Sequence, residues 1–211
     1  MMHNAQMLVL SQVFWLGGSV CSGKTTISEM LATTYGLRVY HCDRHEAAHA
    51  ERSQPDRHPT LAASNALTMD ERWLLPSPEE LAARSTQVHH ERFEFIVEDL
   101  LAMPQDQPVL AEGYGLPPEL VLPVLADVRH ALWLISRPDF LTAMRYKRGM
   151  TAPALTSNPV RARAQLIERD ILMAASLRQS VADQGLALLD IDGSLSIDET
   201  ATRVARHFTL E

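Results

Sequence analysis

The residues with the clearest chemical signature are two glycines, a lysine and a threonine near the N-terminus. Four residues separate Gly18 from Gly23, which is followed directly by Lys24 and Thr25, and this is the spacing G-x-x-x-x-G-K-[ST]. Glycines permit positive φ and a close approach of the backbone to a ligand, and a helix N-terminus favours an anion. An apolar run precedes Gly18 and an amphipathic helical pattern follows Gly23. The sequence therefore predicts a strand, a phosphate-binding loop and a helix, in that order.

This loop is expected to bind the phosphates of a nucleotide. Lys24 is expected to reach the β- and γ-phosphates, and the Thr25 hydroxyl to ligate Mg²⁺. The backbone N–H groups of residues 19–24 would form a concave nest for phosphate oxygens. The alternative, a Gly/Ser turn before an ordinary helix, fits the flanking strand and helix less well. The predicted nucleotide-binding residues of the loop are Gly18, Ser19, Val20, Cys21, Ser22, Gly23, Lys24, Thr25 and Thr26.

Length and charge restrict the class of protein. A chain of 211 residues can bury a substantial core, and one α/β domain with a helical insert fits that size. The net charge of −7 argues against a nucleic-acid partner, whereas the cations concentrated at residues 137–163 suit a small anionic ligand. The two cysteines indicate neither a disulfide framework nor a zinc site. No segment reads as a membrane span or a clear signal peptide. We expect a cytoplasmic protein with no membrane partner, either a monomer or a homodimer.

Strand patterns alternate with helical patterns along most of the chain. The predicted strands lie within residues 8–16, 37–42, 108–113, 131–135 and 186–191. Between the second and third strands, residues 44–107 show only helical patterns, including a strong helix start at Ser77, Pro78 and Glu80. We therefore expect a core formed by residues 8–43 and 108–211 that carries a helical insert at residues 44–107.

Two carboxylates follow predicted strands, at the edge of the sheet where ligands gather in open α/β folds. Asp43 could accept the proton of an acceptor hydroxyl, or it could cap the next helix with Glu46 at the capping-box position. Arg44 beside it could bind an anionic group of the acceptor. Glu112 ends an apolar strand, where a carboxylate is costly without a role or a partner. It could contact the acceptor or a Mg²⁺-bound water, or it could be a helix cap or a buried ion-pair partner.

A second group of candidates is basic or aromatic. Arg145 and Arg148 are three residues apart and share one face of a predicted helix, which suits phosphate oxygens but also a solvated basic surface. The direction of Arg161 and Arg163 is left open by the stretch at residues 149–159, which we expect to be flexible. Trp73 could line an acceptor pocket or anchor the core.

The order of these elements resembles the nucleoside monophosphate kinase-like group of P-loop kinases, which includes adenylate, shikimate and gluconate kinases and chloramphenicol phosphotransferase. The resemblance implies a three-layer α/β sandwich with a five-stranded parallel sheet in the order 2-3-1-4-5. It also implies an acceptor-binding insert at residues 44–107 and a lid at about residues 145–163. On the same grounds Arg145 would lie over the adenine, Arg148 would contact the transferring phosphate, and residues 192–194 would border the base.

The predicted function is therefore an ATP- and Mg²⁺-dependent kinase acting on a small-molecule acceptor. The lid stretch carries none of the family's usual motif, and the insert matches no single member, so the acceptor stays open between a metabolite, a nucleoside or nucleotide, and an antibiotic. The rival interpretation is a catalytically silent ATP-binding protein or a nucleotide switch. A GTPase-type switch would be expected to show N-K-x-D, which the sequence lacks.

Overall fold

A sheet of five strands in the order β2-β3-β1-β4-β5 organises the molecule, and each neighbouring pair of strands is parallel. The structure is a computed structural model that describes residues 8–149 and 152–210. The parallel sheet and its strand order are as predicted. The strands are β1 (Val13–Gly18), β2 (Arg38–His41), β3 (Val109–Glu112), β4 (Ala131–Ser136) and β5 (Leu188–Ile191).

Helices cover both faces of this sheet. They are α1 (Lys24–Tyr35), α2 (Glu46–Arg52), α3 (Pro59–Ala66), α4 (Met69–Trp73), α5 (Pro78–Ala102), α6 (Pro118–Val121), α7 (Pro138–Lys147), α8 (Pro159–Asp183) and α9 (Ile197–His207). Short 3₁₀ turns occupy Cys42–His45, Leu122–Val124, Val128–His130 and Ala152–Leu155. Within the described residues, no helix is both long enough and apolar enough to cross a membrane.

The core has two layers because successive side chains of the central strands point to opposite faces. On one face Trp15 and Trp133, both fully buried, pack with Phe93 and Ile96 of α5 and with α8. The aliphatic side chains of the other face pack against α1 and α9. This second layer contains Leu16, Leu110, Leu132, Leu134, Ile27, Leu31, Val204 and Phe208. The result is the three-layer sandwich expected for strands buried on both faces.

The start of α5 shows how local sequence fixes a boundary. Ser77 accepts a hydrogen bond from Glu80 N, and the Glu80 carboxylate accepts one from Ser77 N, so α5 begins where the capping box predicts. The first strand, predicted within residues 8–16, is Val13–Gly18 and so ends two residues beyond that range. Residues 8–10 are helical, and this turn places Leu10 in the core, where it is 1% exposed.

Residues 44–107 form four helices, α2 to α5, and no strand among the described residues. Glu91 of α5 ties α3 to this group, because its carboxylate accepts hydrogen bonds from Thr60 N (3.1 Å) and Leu61 N (2.8 Å). Arg92 of the same helix, almost fully buried, donates to Cys42 O (2.7 Å) and pairs with Glu46 (2.9 Å). The helical segment is thereby held against the carboxyl end of β2.

Candidate active site

The loop between β1 and α1 has the backbone conformation of an anion-binding loop. Gly18, Gly23 and Cys21 have positive φ values of 137°, 87° and 61°. A Cβ atom on Gly18 would lie 2.0 Å from the Leu134 carbonyl oxygen, so only glycine allows β1 to pass β4 this closely. Cys21 takes up the left-handed region in spite of its side chain, which no sequence pattern indicated.

The N–H groups of this loop are available to a ligand. Ser19 N donates to Leu134 O (3.0 Å), and the Ser19 hydroxyl accepts from Ser136 N (2.8 Å), which anchors the start of the loop to β4. The backbone N–H groups of residues 20–26 donate no hydrogen bond to any other described residue. Free N–H groups at a helix N-terminus, next to an ammonium, suit phosphate oxygens.

Lys24 lies inside the loop and does not project into solvent. Its side chain is buried, and Nζ donates to Ser19 O (2.6 Å) and Gly18 O (3.1 Å). Burial lowers the pKa of Lys24, while the charges of Asp43 and Glu112 act against that shift. The ammonium is thus held by carbonyls of its own loop, at the wall of the crevice where phosphates would enter.

Glu112, Thr25 and His41 meet at the carboxyl end of β3. Glu112 Oε1 accepts from Thr25 Oγ1 (3.2 Å) and lies 2.7 Å from His41 Nδ1. This geometry agrees with the ion-pair alternative for one carboxylate oxygen. The other oxygen, Oε2, is buried and has no hydrogen-bond partner among residues 8–149 and 152–210. Such an orphaned oxygen needs a donor from outside the chain, and a metal-bound water is one.

These residues fit a magnesium ion that comes with a nucleotide. The described residues contain no cluster of three or more His, Cys, Asp or Glu side chains that could hold a metal by themselves. Mg²⁺ usually keeps several waters and takes few protein ligands besides substrate phosphates. The Thr25 hydroxyl could serve as the one direct protein ligand, and the free Glu112 Oε2 could accept a hydrogen bond from a magnesium-bound water.

Asp43 does not cap the following helix. Neither the turn Cys42–His45 nor α2 has a side-chain cap hydrogen bond. The carboxylate instead accepts from Tyr114 N at 3.3 Å and 3.4 Å. Gly113 makes this approach feasible, because a Cβ there would lie 2.7 Å from Cys42 Cβ and 3.2 Å from Asp43 Oδ1.

Asp43 belongs to a polar crevice of about 140 Å³ beside the phosphate loop. The loop residues Val20 to Thr26 form one wall, and Asp43, Tyr114, Arg145 and Arg148 complete it. The structure therefore brings together most of the side chains that the sequence singled out, from four separate segments of the chain.

The two arginines of the crevice differ in their partners. Arg145 Nε donates to Asp170 Oδ2 (2.6 Å), a carboxylate that is fully buried and also pairs with Arg169. Arg148, just after α7, is exposed and forms no ion pair with the described carboxylates. Arg148 is thus free to contact a phosphate. Arg145 is held in the crevice wall by Asp170, a contact that the sequence did not predict, and its position over an adenine stays a prediction.

Other predicted residues lie outside the crevice. The Arg44 guanidinium is exposed and pairs with Glu29 of α1 (2.9 Å), so the structure does not place Arg44 at the crevice, contrary to the prediction. Arg163 donates to Arg145 O (3.1 Å) and stacks on Tyr146, while Arg161 is exposed. The turn at residues 192–194 is exposed too, and its proximity to a base stays a prediction.

A second cavity, of about 220 Å³, is also lined by Tyr114. It is formed mainly by helices α2 to α5, with Arg169 contributed by α8. Tyr114 lines both this cavity and the crevice, so the two spaces are neighbours. Trp73 is among the lining residues, half-buried. Four arginines of the lining were missed from the sequence because they come from three helices at irregular spacing: Arg72, Arg84, Arg92 and Arg169.

The expected lid, residues 145–163, contacts the insert. Residues 150 and 151 of this range lie outside the described residues. Part of the stretch expected to be flexible is folded, because Ala152–Leu155 form a 3₁₀ turn. Ser157 then donates to Asp70 of α4, from N to Oδ1 (2.7 Å) and from Oγ to Oδ2 (2.6 Å). One carboxylate therefore holds this segment against the insert.

Removal of that carboxylate should loosen the segment. In Asp70→Ala, proteolysis within residues 149–160 is expected to rise about tenfold, the effect of losing two hydrogen bonds to a charged group at an exposed site. ATP together with an acceptor should slow cleavage of the unmodified chain, as for a lid that closes on its substrates. Asp56→Ala, at an exposed aspartate without hydrogen bonds to the described chain, is the control. Equal cleavage in all samples would contradict a lid.

One comparison with a solved structure, that of a shikimate kinase, agrees with the fold. No family model matches the sequence, and no curated protein matches it. A shikimate kinase from Bacteroides thetaiotaomicron is similar in structure, with a TM-score of 0.50 and 17% identity over 94% of this chain and 98% of that chain. A gluconokinase from Sinorhizobium meliloti 1021 has a TM-score of 0.43 and 13% identity over 94% and 93% of the two chains. A dephospho-CoA kinase from Campylobacter jejuni has a TM-score of 0.44 and 10% identity over 92% and 96%.

The chain has the fold of the P-loop kinases of the nucleoside monophosphate kinase-like group, as the resemblance predicted. The strand order, the phosphate loop and the first of these structural likenesses carry this assignment. At 17% identity the likeness establishes the fold and leaves the reaction to the residues of the site.

Proposed function

We propose that this protein is an ATP- and Mg²⁺-dependent kinase that transfers the γ-phosphoryl group to a hydroxyl or phosphate of a small-molecule acceptor. One observation carries the proposal. A carboxylate that caps no helix, Asp43, lies in the same crevice as Lys24, Thr25 and Arg148, and the crevice adjoins a separate cavity through Tyr114. A phosphate-binding loop, a candidate base and room for a second substrate are the parts that phosphoryl transfer needs.

The loop residues would bind and orient the nucleotide. The free N–H groups of residues 20–26 suit the β- and γ-phosphate oxygens, and Lys24 would leave the carbonyls of Gly18 and Ser19 to neutralise them. Arg148, unpaired among the described residues, would add a mobile guanidinium at the phosphate being transferred. Arg145, fixed to Asp170, would form a rigid wall for the nucleotide.

Thr25 and Glu112 would hold the magnesium ion, Thr25 through its hydroxyl and Glu112 through a bound water at Oε2. When bound, Mg²⁺ neutralises phosphate charge as it develops. His41 keeps the Glu112 carboxylate in place through the contact of 2.7 Å at Oε1.

Asp43 would act on the acceptor. Its carboxylate is exposed to the crevice and is oriented by Tyr114 N, which leaves lone pairs free for an acceptor hydroxyl. Accepting the hydroxyl proton as the new O–P bond forms is general-base catalysis. With a phosphate acceptor, which needs no deprotonation, Asp43 would only help to position the group.

A catalytically silent ATP-binding protein is the rival proposal. Its loop would bind nucleotide in the same way, but nothing in it would require a free carboxylate beside a second cavity. An acceptor-dependent ADP-release screen over alcohols, nucleosides and phosphorylated metabolites separates the two. We expect at least one acceptor to raise ADP release well above the rate with ATP alone. Tight ATP binding with no stimulation by any acceptor would favour the silent protein.

A further inference from the structure

The cavity beyond Tyr114 has a strong excess of positive charge. Its lining includes four guanidinium groups, those of Arg72, Arg84, Arg92 and Arg169, but one carboxylate, Glu46. Glu46 already pairs with Arg92 at 2.9 Å. Asp170, behind the cavity wall, is shared by Arg169 and Arg145. Glu46 and Asp170 are thus both engaged already, and the guanidinium groups of the lining still outnumber its carboxylate.

Two of the four arginines lack an anionic partner. In residues 8–149 and 152–210, neither Arg72 nor Arg84 forms an ion pair. Arg84 donates only to the backbone carbonyls of Glu71 and Arg72. The Arg72 side chain makes no hydrogen bond to the described chain, and its guanidinium lies 5.5 Å from the Trp73 ring centroid. Arg169 approaches the same ring at 5.6 Å, so these cations converge around one indole.

Burial and the positive charges of this cavity lower the pKa values of two lining residues, His89 and Arg84. Burial, aided by the charges of Arg92 and Arg169, lowers the pKa of His89 to about 3, so the imidazole is neutral. Burial, with Arg72 and Arg169 as like charges, also lowers the pKa of Arg84. Ser64, 5% exposed and part of the lining, has a hydroxyl without a hydrogen-bond partner in the described chain. A buried hydroxyl without a partner, in the lining of a cavity that also contains unpaired guanidinium groups, suits an oxygen-rich ligand group.

We infer that the cavity binds the acceptor through an anionic group, a carboxylate or a phosphate, held by Arg72, Arg84 and Arg169 over the Trp73 ring. The inference rests on the proposed kinase function for the role of the ligand as acceptor. Arginine forks pair with both kinds of anion in a bidentate manner. The acceptor is then an acidic alcohol whose hydroxyl reaches past Tyr114 to Asp43, while its anionic end stays among the arginines. A neutral alcohol would leave Arg72 and Arg84 without an anionic partner.

Turnover of matched compounds tests the acceptor class. The ADP-release assay is run with alcohols in sets of three that share a carbon skeleton, one with a carboxylate, one with the carboxamide and one with a phosphate monoester. We expect turnover from an acidic member and little from its carboxamide, and comparison of the two acids identifies which anion is preferred. Carboxamides that turn over as well as their acids would overturn the inference while leaving the kinase proposal intact.

Direct binding provides a test that needs no turnover. The chain has three tryptophans, and Trp15 and Trp133 are 0% exposed, so an emission change on ligand binding reports Trp73. Titration without ATP should give a saturable change with the acidic members and none in Trp73→Phe. Acid binding without acceptor-dependent ADP release would leave an anion site and remove the kinase proposal. No saturable change with any acid would overturn the inference.

Substitutions link the binding to the arginines. Arg84→Gln is expected to weaken binding of the acid about tenfold or more, because it removes a charge-assisted contact, and to leave binding of the carboxamide unchanged. Arg72→Gln, which removes a side chain with no hydrogen bond to the described chain, is a second variant in case Arg84→Gln is unstable. Arg203→Gln, at an exposed arginine of α9, is the matched control. Equal acid affinity in both cavity variants and the control would contradict the assignment.

Discussion

Lys24→Ala is expected to lower kcat for phosphoryl transfer by about 10²- to 10³-fold, the usual effect of removing one donor that stabilises transition-state charge. Its ammonium is the one cation placed within the loop itself, with Nζ 2.6 Å from Ser19 O. ATP affinity should fall too, because the β- and γ-phosphates lose their counter-charge. Steady-state kinetics and a nucleotide titration measure the two effects.

The fold should survive this substitution. Lys24 is buried, so its ammonium carries a desolvation cost that an alanine removes, although the carbonyls of Gly18 and Ser19 lose a donor. Lys24→Met, which keeps most of the side-chain volume, should show the same loss of activity with a melting temperature close to that of the unmodified chain. Full turnover and full ATP affinity in both variants would remove the basis of the kinase proposal.

Asp43→Asn is expected to lower kcat by about 10²-fold or more, the scale of a lost general base. The amide oxygen can still accept the Tyr114 N–H bond, and the side chain is exposed, so the melting temperature should hardly change. The comparison of kcat with thermal stability separates chemistry from structure. Asp56→Asn, at an exposed loop aspartate, is the control.

The outcome also decides between two carboxylates. Glu112 is the other acid of the site, and its contacts with Thr25 and His41 suit a metal-supporting role. Glu112→Gln should therefore shift the Mg²⁺ concentration needed for half-maximal activity, whereas Asp43→Asn should leave it unchanged. Near-normal turnover of Asp43→Asn would make Glu112 the first candidate for the base.

The sequence predicted the sheet well because its signals are local. The loop motif fixes β1 and α1, the apolar runs of β3 and β4 require burial on both faces, and Ser77 with Glu80 marks the start of α5. Asp43 and Glu112 were predicted at the same edge of the sheet because they follow parallel strands, whose carboxyl ends lie at one edge. These parts of the site needed no knowledge of distant contacts.

Side-chain direction could not be predicted in the same way. Arg44 turns to Glu29, a partner on another helix that its own sequence context does not reveal. Arg145 is held by Asp170, which lies 25 residues further along the chain. The arginines of the cavity come from α4, α5 and α8, and only the packing of these helices brings them together. Lys24 is buried because the loop folds around its own side chain.

The Asp170 carboxylate is buried between Arg145, which lines the crevice, and Arg169, which lines the cavity, so one charge contacts both proposed substrate sites. An anion bound by Arg169 would weaken the pairing of Arg169 with Asp170 and so strengthen that of Arg145, and a nucleotide beside Arg145 would have the converse effect. Binding free energies at coupled sites are reciprocal. Whatever factor nucleotide imposes on the affinity for acceptor, acceptor must impose on the affinity for nucleotide, so neither dissociation constant is a property of its own site alone.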